Sequence, residues 1–289
     1  MTRQEDGGSD PVVGVVIVTY NSDATALHAV RSLFSGTRPP DRVVVVDSGS
    51  RRDSYLTEIE RSDPRVRVVR QQSNVGFCVG NNLGLQTLPR CRYVLFLNPD
   101  AFVSEGFLDG AVRLCDDDPR IGAMNPKLVS ADPVTRAATQ RLDSVGVFQT
   151  RYGRWFDRGR GEPDDGRYDG SVVDVPALCG AAMFCREAAL RSVGPDGAVF
   201  DERFFMYKED IDLSLRLARA GWKVVVDPSL TVLHVRGWKA DRREMPLSAR
   251  RRSLANEWLI WRKGFALPAG RLRTLGYLTA KSLLVALGR

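Results

Sequence analysis

The sequence LFLNPD, residues 95–100, decides the fold expected for this chain. An apolar run that begins at Tyr93 ends here abruptly in Asn-Pro-Asp. Such a run is typical of a buried strand, and Pro99 ends it because proline has no N–H to donate to a neighbouring strand. Asp100 is therefore expected at the carboxyl edge of a sheet, where open α/β folds place their ligands. A carboxylate at that edge can hold a divalent cation, although a strand followed by an Asx-type turn explains this stretch equally well.

Strands and helices alternate on both sides of this strand. Strands are predicted at residues 12–18, 42–46, 66–69 and 93–97, and helices at 22–34, 52–61, from Asn74 to Leu88, and 104–116. This order is typical of a mostly parallel, Rossmann-like sheet flanked by helices. Residues 132–169 mix Arg, Asp and Gly and are interpreted as a long loop region. Further strands are predicted at residues 172–175, 181–184, 223–226 and 230–235, with a helix at 209–220.

Length and composition limit the class of protein. The 289 residues, of which 43% are hydrophobic, allow one large or two modest domains with an ordinary core. No stretch approaches the roughly 20 apolar residues of a membrane span. The polar start, residues 1–11, lacks the apolar centre of a signal peptide and is expected to be a disordered tail. Five cysteines form no C-x-x-C pair, which predicts buried free thiols in a reducing cytoplasm.

Positive charge is concentrated in the C-terminal part of the chain. The net charge is +7, and residues 236–289 alone carry 13 Lys and Arg against 3 Asp and Glu. Because the basic surface is local, a general nucleic-acid binder is not expected. Apolar residues at helical spacing, among them Trp258 and Trp261, predict two basic amphipathic helices in this part. Such helices either pack on the main domain or lie on an anionic membrane surface, and the sequence leaves both open.

Two polar segments follow the early strands. Asp47 ends the second strand, where its carboxylate can accept a hydrogen bond from a nucleobase or a ribose, or can close the Ser-Gly-Ser turn after it. The turn after the first strand reads TYNSDA instead of G-x-G-x-x-G, so an NAD site is not expected. The helix that follows Asn74 offers free N–H groups to an anion, and Gly76 permits its close approach.

Two further candidates lie late in the chain. Glu209 and Asp210 open a helix, where acids are stabilised by the helix dipole and where a carboxylate can also act as a general base. His234 ends a strand and is either a structural histidine or a metal ligand. If His234 meets Asp100 in space, the pair and two phosphate oxygens would make a reasonable shell for Mg²⁺ or Mn²⁺.

These segments occur in the order and spacing of family 2 inverting glycosyltransferases, which the chain resembles over residues 12–235. The resemblance is carried by VVIVTYNS, VVVVDSGS, NVGFCVGNN, LFLNPDA and FDERFFMYKEDIDLSLRLARAGW, with the later His234. It implies a GT-A fold, a single nucleotide-binding α/β domain at residues 12–235, followed by the basic helical region at 236–289. It also implies transfer of a sugar from a nucleoside diphosphate donor to a hydroxyl of a glycan or a polyprenyl-diphosphate-linked acceptor, at the inner face of the cell membrane.

The NPD and MYKEDIDL forms look most like the bacterial rhamnosyltransferases that build cell-envelope polysaccharides. The resemblance therefore implies dTDP-L-rhamnose as the donor, with a UDP-sugar as the alternative. A nucleotidyltransferase, which has a related sheet, is disfavoured because its Gly-rich basic loop after the first strand is absent. The linkage is left open, and so is a homo-oligomeric state.

The resemblance implies three groups of site residues. Contacts to the nucleotide-sugar are expected from Thr19, Asn21, Asp47, Asn74, Gly76, Asn81, Asn98 and Asp100. Gly180 and Ala181 match a Gly-Ala segment near the acceptor. Asp210 matches the general base, with Glu209 beside it, and Asp100 and His234 would hold Mg²⁺ or Mn²⁺. Asn98 replaces the first acid of the family's D-x-D metal motif, so strict metal dependence stays open, as does a nucleotide-sugar-binding protein without turnover.

Overall fold

The computed structural model describes residues 12–194, 198–236, 246–265 and 268–286. The predicted tail at residues 1–11 lies outside this part of the chain. The strands are β1 Val13–Thr19, β2 Arg42–Asp47, β3 Val66–Arg70, β4 Tyr93–Leu97, β5 Ala101–Val103, β6 Ile121–Ala131, β7 Ala138–Ser144, β8 Val147–Gln149, β9 Trp155–Asp157, β10 Val173–Asp174, β11 Ala182–Arg186 and β12 Lys223–His234. The α-helices are α1 Ala26–Phe34, α2 Ser54–Ser62, α3 Gly76–Thr87, α4 Phe107–Asp117, α5 Glu187–Val193, α6 Glu209–Arg219, α7 Leu247–Arg262 and α8 Pro268–Ala286.

Ten of these strands form one sheet with flanking helices. Its order is β10-β12-β6-β11-β4-β1-β2-β3, with β5 paired to β12 and β7 paired to β6. Strands β3, β2, β1 and β4 run parallel, as the alternation of strands and helices predicts. Strand β11 runs antiparallel between β4 and β6, and β12 runs parallel to β6. The sheet is therefore mixed: parallel in its N-terminal half and of both directions beyond β4.

Two predictions for the second half of the sheet were wrong, and one strand was not predicted at all. Residues 132–169 were interpreted as a loop region but contain β7, β8 and β9. These strands were missed because their sequences lack a clear apolar run. The sequence analysis also missed β6, which contains Pro126. Residues 223–235 hold the single strand β12 instead of two strands. Its register shifts between Asp227 and Thr231, directly opposite Pro126, and a strand irregularity of this kind is where a sheet tolerates proline.

The C-terminal helices pack on the sheet domain and on each other. Ile260 of α7 belongs to the main hydrophobic core. Leu254 of α7 and Leu278 of α8 form a smaller cluster, against which Trp258 and Trp261 pack. The tryptophan stripe is therefore used within the protein, which is the first of the two interpretations that the sequence left open. None of the helices in the described ranges is both long and apolar enough to cross a membrane.

All five cysteines are buried and free, as predicted.

The first strand shows why the apolar runs indicate this fold. All seven residues of β1 are buried, because the strand has neighbours on both edges and helices over its faces. Polar residues can follow such a strand only where it leaves the core, which places them together at the carboxyl edge.

Candidate active site

One cleft of about 800 Å³ opens at the carboxyl edge of the sheet. It collects side chains that are far apart in the sequence and that come from the ends of β4 and β12 and from the start of α6. The residues of the predicted site that line it are Asn98, Asp100, Gly180, Ala181, Glu209, Asp210 and His234. The acid expected as a base and the pair expected to hold a metal ion thus face the same space.

Asp210 is held in a defined orientation in the first turn of α6. Its Oδ2 accepts a hydrogen bond of 2.9 Å from the Gly180 N–H, and its Oδ1 accepts one of 2.8 Å from the Ile211 N–H. A Cβ atom added at Gly180 would lie 3.3 Å from Asp210 Oδ2, so the glycine permits this close approach. Burial raises the pKa of Asp210, while the charge of Lys208 and the two N–H donors oppose that rise. Such a carboxylate is a suitable proton acceptor.

Glu209 differs from its neighbour in protonation. Its side chain is buried, and its Oε2 atom has no hydrogen-bond partner in the described structure. Burial, followed by the charge of Asp210, raises the pKa of Glu209 to about 8. Because Asp210 accepts two N–H bonds that favour its charged form, Asp210 is the member of the pair that ionises first. Glu209 keeps its proton at neutral pH.

His234 lies between two carboxylates. Its Nε2 atom is 3.3 Å from Asp100 Oδ1, and its Nδ1 atom is 2.8 Å from Asp143 Oδ2. Burial lowers the pKa of His234, but the hydrogen bonds to Asp100 and Asp143 outweigh burial and raise it to about 9. Arg236 lies 3.0 Å from the other oxygen of Asp143 and 3.2 Å from Asp157. The imidazole is therefore fixed in place by charged partners on both sides.

The Asp100–His234 pair fits a divalent cation. When Nδ1–H donates to Asp143, Nε2 carries a lone pair toward Asp100, an arrangement that needs either a proton or a cation between the two. Two ligands that lie about 2.1 Å from one Mg²⁺ at a right angle are about 3 Å apart, close to the distance found between Nε2 and Oδ1. In the described ranges no three His, Cys, Asp or Glu side chains form a metal shell by themselves. Mg²⁺ commonly completes such a partial shell with water and substrate phosphates.

A second group of predicted residues lies at the ends of β1 and β2. Asp47 is 3% exposed, and its carboxylate accepts hydrogen bonds from Thr19 Oγ1 at 3.1 Å and from the Ser50 N–H at 3.0 Å. Asn21 has a φ of 52° and its Oδ1 accepts a bond from the Arg51 N–H, which joins the two loops. Asp47 thus closes its own turn, the alternative that the sequence analysis named, and a nucleoside contact must use its remaining lone pairs.

The helix-start residues are placed differently from one another. Asn74 Oδ1 accepts from the Gly76 N–H at 2.9 Å, so Asn74 holds the first turn of α3. Gly76 has a φ of +83°, and a Cβ there would lie 2.6 Å from the Phe205 ring, so two constraints require glycine. Asn81 is 1% exposed and donates to the Phe77 carbonyl oxygen within the helix. Among the described residues that line the cleft there is none of Asn74, Gly76 and Asn81, and Asn81 is buried inside the helix.

Two functional groups were missed by the sequence analysis. Asp143 orients His234 but lies in the region interpreted as a loop, so no local pattern marked it. Asn256 of α7 is 4% exposed and donates to the carbonyl oxygens of Phe204, Met206 and Tyr207, just before Asp210. An asparagine among the apolar positions of an amphipathic helix was the one signal that could have indicated it.

The mixed α/β sheet with flanking helices and a cleft at its edge has the fold of the solved GT-A glycosyltransferases. The family model "Glycosyl transferase family 2" matches residues 14–181. The chain therefore belongs to glycosyltransferase family 2 and is a glycosyltransferase.

Two relatives match about four fifths of this chain. An N-acetylglucosaminyl-diphospho-decaprenol L-rhamnosyltransferase of Mycobacterium tuberculosis is 29% identical over 250 residues, which cover 80% of this chain and 78% of that protein. A pre-mycofactocin glycosyltransferase of the same organism is 27% identical over 83% of this chain and 47% of its own length.

Solved structures agree in fold. GalNAc-T7 with UDP, GalNAc and Mn²⁺ has a TM-score of 0.67 at 16% identity, and this chain, 89% of which is matched, spans about half of it (49%). The mannosyltransferase PcManGT from Pyrobaculum calidifontis, in complex with GDP-Man and Mn²⁺, has a TM-score of 0.61 at 18% identity, with 97% of this chain and 74% of that chain covered.

Proposed function

We propose that this protein transfers a sugar, with inversion, from a nucleoside diphosphate donor to a hydroxyl of a lipid-linked glycan acceptor. The observation that carries the proposal is the position of Asp210, which faces the same cleft as the Asp100–His234 pair. A base and a cation site on one cleft are what a single displacement at a sugar carbon needs, because one group activates the nucleophile and the other stabilises the leaving group.

In this mechanism Asp210 Oδ2 removes the proton of the acceptor hydroxyl while that oxygen attacks the anomeric carbon. The Gly180 N–H keeps the carboxylate oriented, and Glu209, which keeps its own proton, does not compete as a base. Asp100 and His234 would hold Mg²⁺ or Mn²⁺, which when bound supplies positive charge against the diphosphate leaving group. Asn98, which lines the same cleft, takes the place of an acid and leaves the ion with fewer protein charges.

The donor is dTDP-L-rhamnose in this proposal, and a UDP-sugar is the alternative. The M. tuberculosis rhamnosyltransferase supports a rhamnosyl donor by its name, and it also supports a sugar on a polyprenyl diphosphate as the acceptor. Thr19, Asn21, Asp47, Asn74 and Gly76 would surround the nucleoside, since they lie at or after the carboxyl ends of β1, β2 and β3, the parallel strands that continue the sheet from β4. Gly180 and Ala181 would lie on the acceptor side with Asp210.

We further propose that the protein binds peripherally to the inner face of the cell membrane through α8. Leu272 and Leu283 of this helix are 72% and 63% exposed, on a segment that also carries Arg273. Apolar and basic residues together are typical of a helix in the headgroup region. Replacing both leucines with Gln in the full-length protein should reduce binding to vesicles with anionic lipids. Unreduced binding would remove this role from α8.

The test of the main proposal is a transfer assay with a short-chain prenyl-diphospho-GlcNAc as acceptor. The assay compares dTDP-L-rhamnose with UDP- and GDP-sugars, with and without Mn²⁺. Preferential donor binding to the native state also raises the melting temperature, which ranks the donors without turnover. If the donor bound but was neither transferred nor hydrolysed under any condition, the protein would be a nucleotide-sugar-binding protein. That result would contradict the proposal.

A further inference from the structure

A group of cationic side chains lines the cleft on the side of the candidate base. Lys208 directly precedes Glu209 and Asp210, and Lys281 of α8 and Arg250 of α7 line the same cleft. These three residues come from three different helix regions that meet only in the folded protein. These cations are therefore a separate set of residues from the Asp100–His234 pair, to which the donor diphosphate is assigned above.

A buried carboxylate holds two of these cations. Glu257 of α7 is 4% exposed, and its Oε2 atom lies 2.6 Å from Lys281 Nζ. Its Oε1 atom lies 4.0 Å from Lys208 Nζ and has no hydrogen-bond partner in the described structure. One carboxylate thus faces two ammonium groups whose side chains are 15% and 17% exposed. Lys208, Lys281 and Arg250 thus place three cationic side chains on one side of the cleft, and such a group of like charges favours an anionic ligand.

Apolar surface continues directly from this cationic wall. Leu284 and Val285 follow Lys281 by about one turn of α8, and both also line the cleft. Leu284 is 49% exposed and its neighbour Leu283 is 63% exposed, although both lie on a helix that packs against α7. A cationic pocket followed by exposed leucines matches a ligand that carries a phosphate group joined to a hydrocarbon chain.

We propose that Lys208, Lys281 and Arg250 form a binding subsite for the diphosphate of the acceptor, with Leu283 and Leu284 in contact with its hydrocarbon chain. Glu257 is a positioning residue that sets the two ammonium groups. The subsite rests on the proposed function, because it assumes that the acceptor and not the donor enters beside Asp210. It places the acceptor sugar next to the base by anchoring the adjacent diphosphate.

The experiment compares three acceptors that carry the same GlcNAc: on a short-chain prenyl diphosphate, on the same prenyl monophosphate, and on a neutral alkyl group. The variant Lys281→Met removes the ammonium group and keeps most of the apolar stem. A charge-assisted hydrogen bond to phosphate corresponds to roughly a 10-fold change or more. We therefore expect the KM of the diphosphate acceptor to rise about 10-fold, while the KM values of the neutral acceptor and of the donor stay unchanged.

Two further variants serve as controls. Lys281→Arg keeps the charge and should recover most of the loss. Arg251→Gln removes one charge from an exposed position of α7 that does not line the cleft, and it should leave the KM values of the acceptors and of the donor unchanged. An equal rise for all three acceptors would mean that Lys281 only supports the fold. A rise in the donor KM would assign the cations to the donor diphosphate. Either result overturns the proposal.

A binding measurement separates this proposal from the proposed function. Calorimetric titration of the full-length protein with geranyl diphosphate needs no turnover. Weaker binding to Lys281→Met than to the wild type would support the subsite even if no sugar were transferred. Equal binding to both proteins would contradict the subsite even if the wild type were an active transferase.

Discussion

Asn256→Ala tests whether α7 positions the base. The Asn256 amide nitrogen lies 3.0, 2.9 and 2.7 Å from the carbonyl oxygens of Phe204, Met206 and Tyr207. The turn that it holds contains three non-glycine residues with positive φ, at 56° for Phe205, 76° for Tyr207 and 72° for Lys208. Such conformations persist only where neighbouring groups enforce them, because each costs about 1–3 kcal/mol.

The expected effect on stability follows from these contacts. The amide has two N–H donors, and a hydrogen bond typically contributes about 0.5–1.5 kcal/mol, so their loss removes about 1–3 kcal/mol. The carbonyl groups would remain buried without a partner, which adds to the cost. We therefore expect the free energy of unfolding to fall by about 3 kcal/mol, the upper end of this range. For a protein of this size the melting temperature should fall by roughly 5–10 °C, measured by calorimetry.

Activity should fall as well, because Asp210 lies two residues after the turn. Misplacement of a reacting group by about 1 Å can lower the rate about 100-fold, so we expect kcat to fall at least 10-fold. The donor KM should change less. Asn256→Asp keeps the shape of the side chain but has no N–H donor and should be no better than alanine. Arg251→Ala, at an exposed position of α7, is the control. Wild-type kcat and melting temperature in Asn256→Ala would refute the reasoning.

Three further predictions concern the cleft. Asp210→Asn should lower kcat by ~10²–10⁴-fold with donor binding unchanged in calorimetry, since only the base is removed; Asp117→Asn, exposed at the end of α4, is its control. Glu209→Gln should reduce the pH dependence of stability. With a folded pKa of about 8, Glu209 keeps a proton that the unfolded chain loses, so stability falls as the pH rises from about 5 to 8. Urea unfolding at both pH values measures this, and an identical fall in both proteins would count against it. Asp143→Asn should weaken Mn²⁺ affinity about 10–100-fold through loss of the His234 orientation, as read from Mn²⁺ titration of the transfer rate. Unaltered affinity would remove the metal role of His234.

Much of the parallel half of the fold was predictable from local patterns. The strands before Asp47 and Asp100 are continuous apolar runs, and polar residues follow them at once. Each prediction of this kind needed only neighbouring residues, because burial on both faces of a parallel strand excludes polar side chains along its length. The acids at the start of α6 were likewise visible, since a helix start and its charges are adjacent in the chain.

The second half of the sheet could not be predicted in this way. Strand β6 contains Pro126, and its pairing depends on a register shift in β12, about a hundred residues later. Strand β7 has four exposed residues before its buried ones, so it resembles a loop in composition. Its Asp143 becomes functional only by meeting His234, 91 positions away.

The sequence by itself determined which chemical groups the protein has and at which strand ends and helix starts they lie. Only the tertiary structure decided which of these groups meet. His234 meets both Asp100 and Asp143, and Asn256 of α7 meets the turn that precedes Asp210. The physical reason is that hydrophobic periodicity reports the burial of each residue, whereas pairing across the fold depends on strand register and helix packing. Those are set jointly by residues that no local window contains.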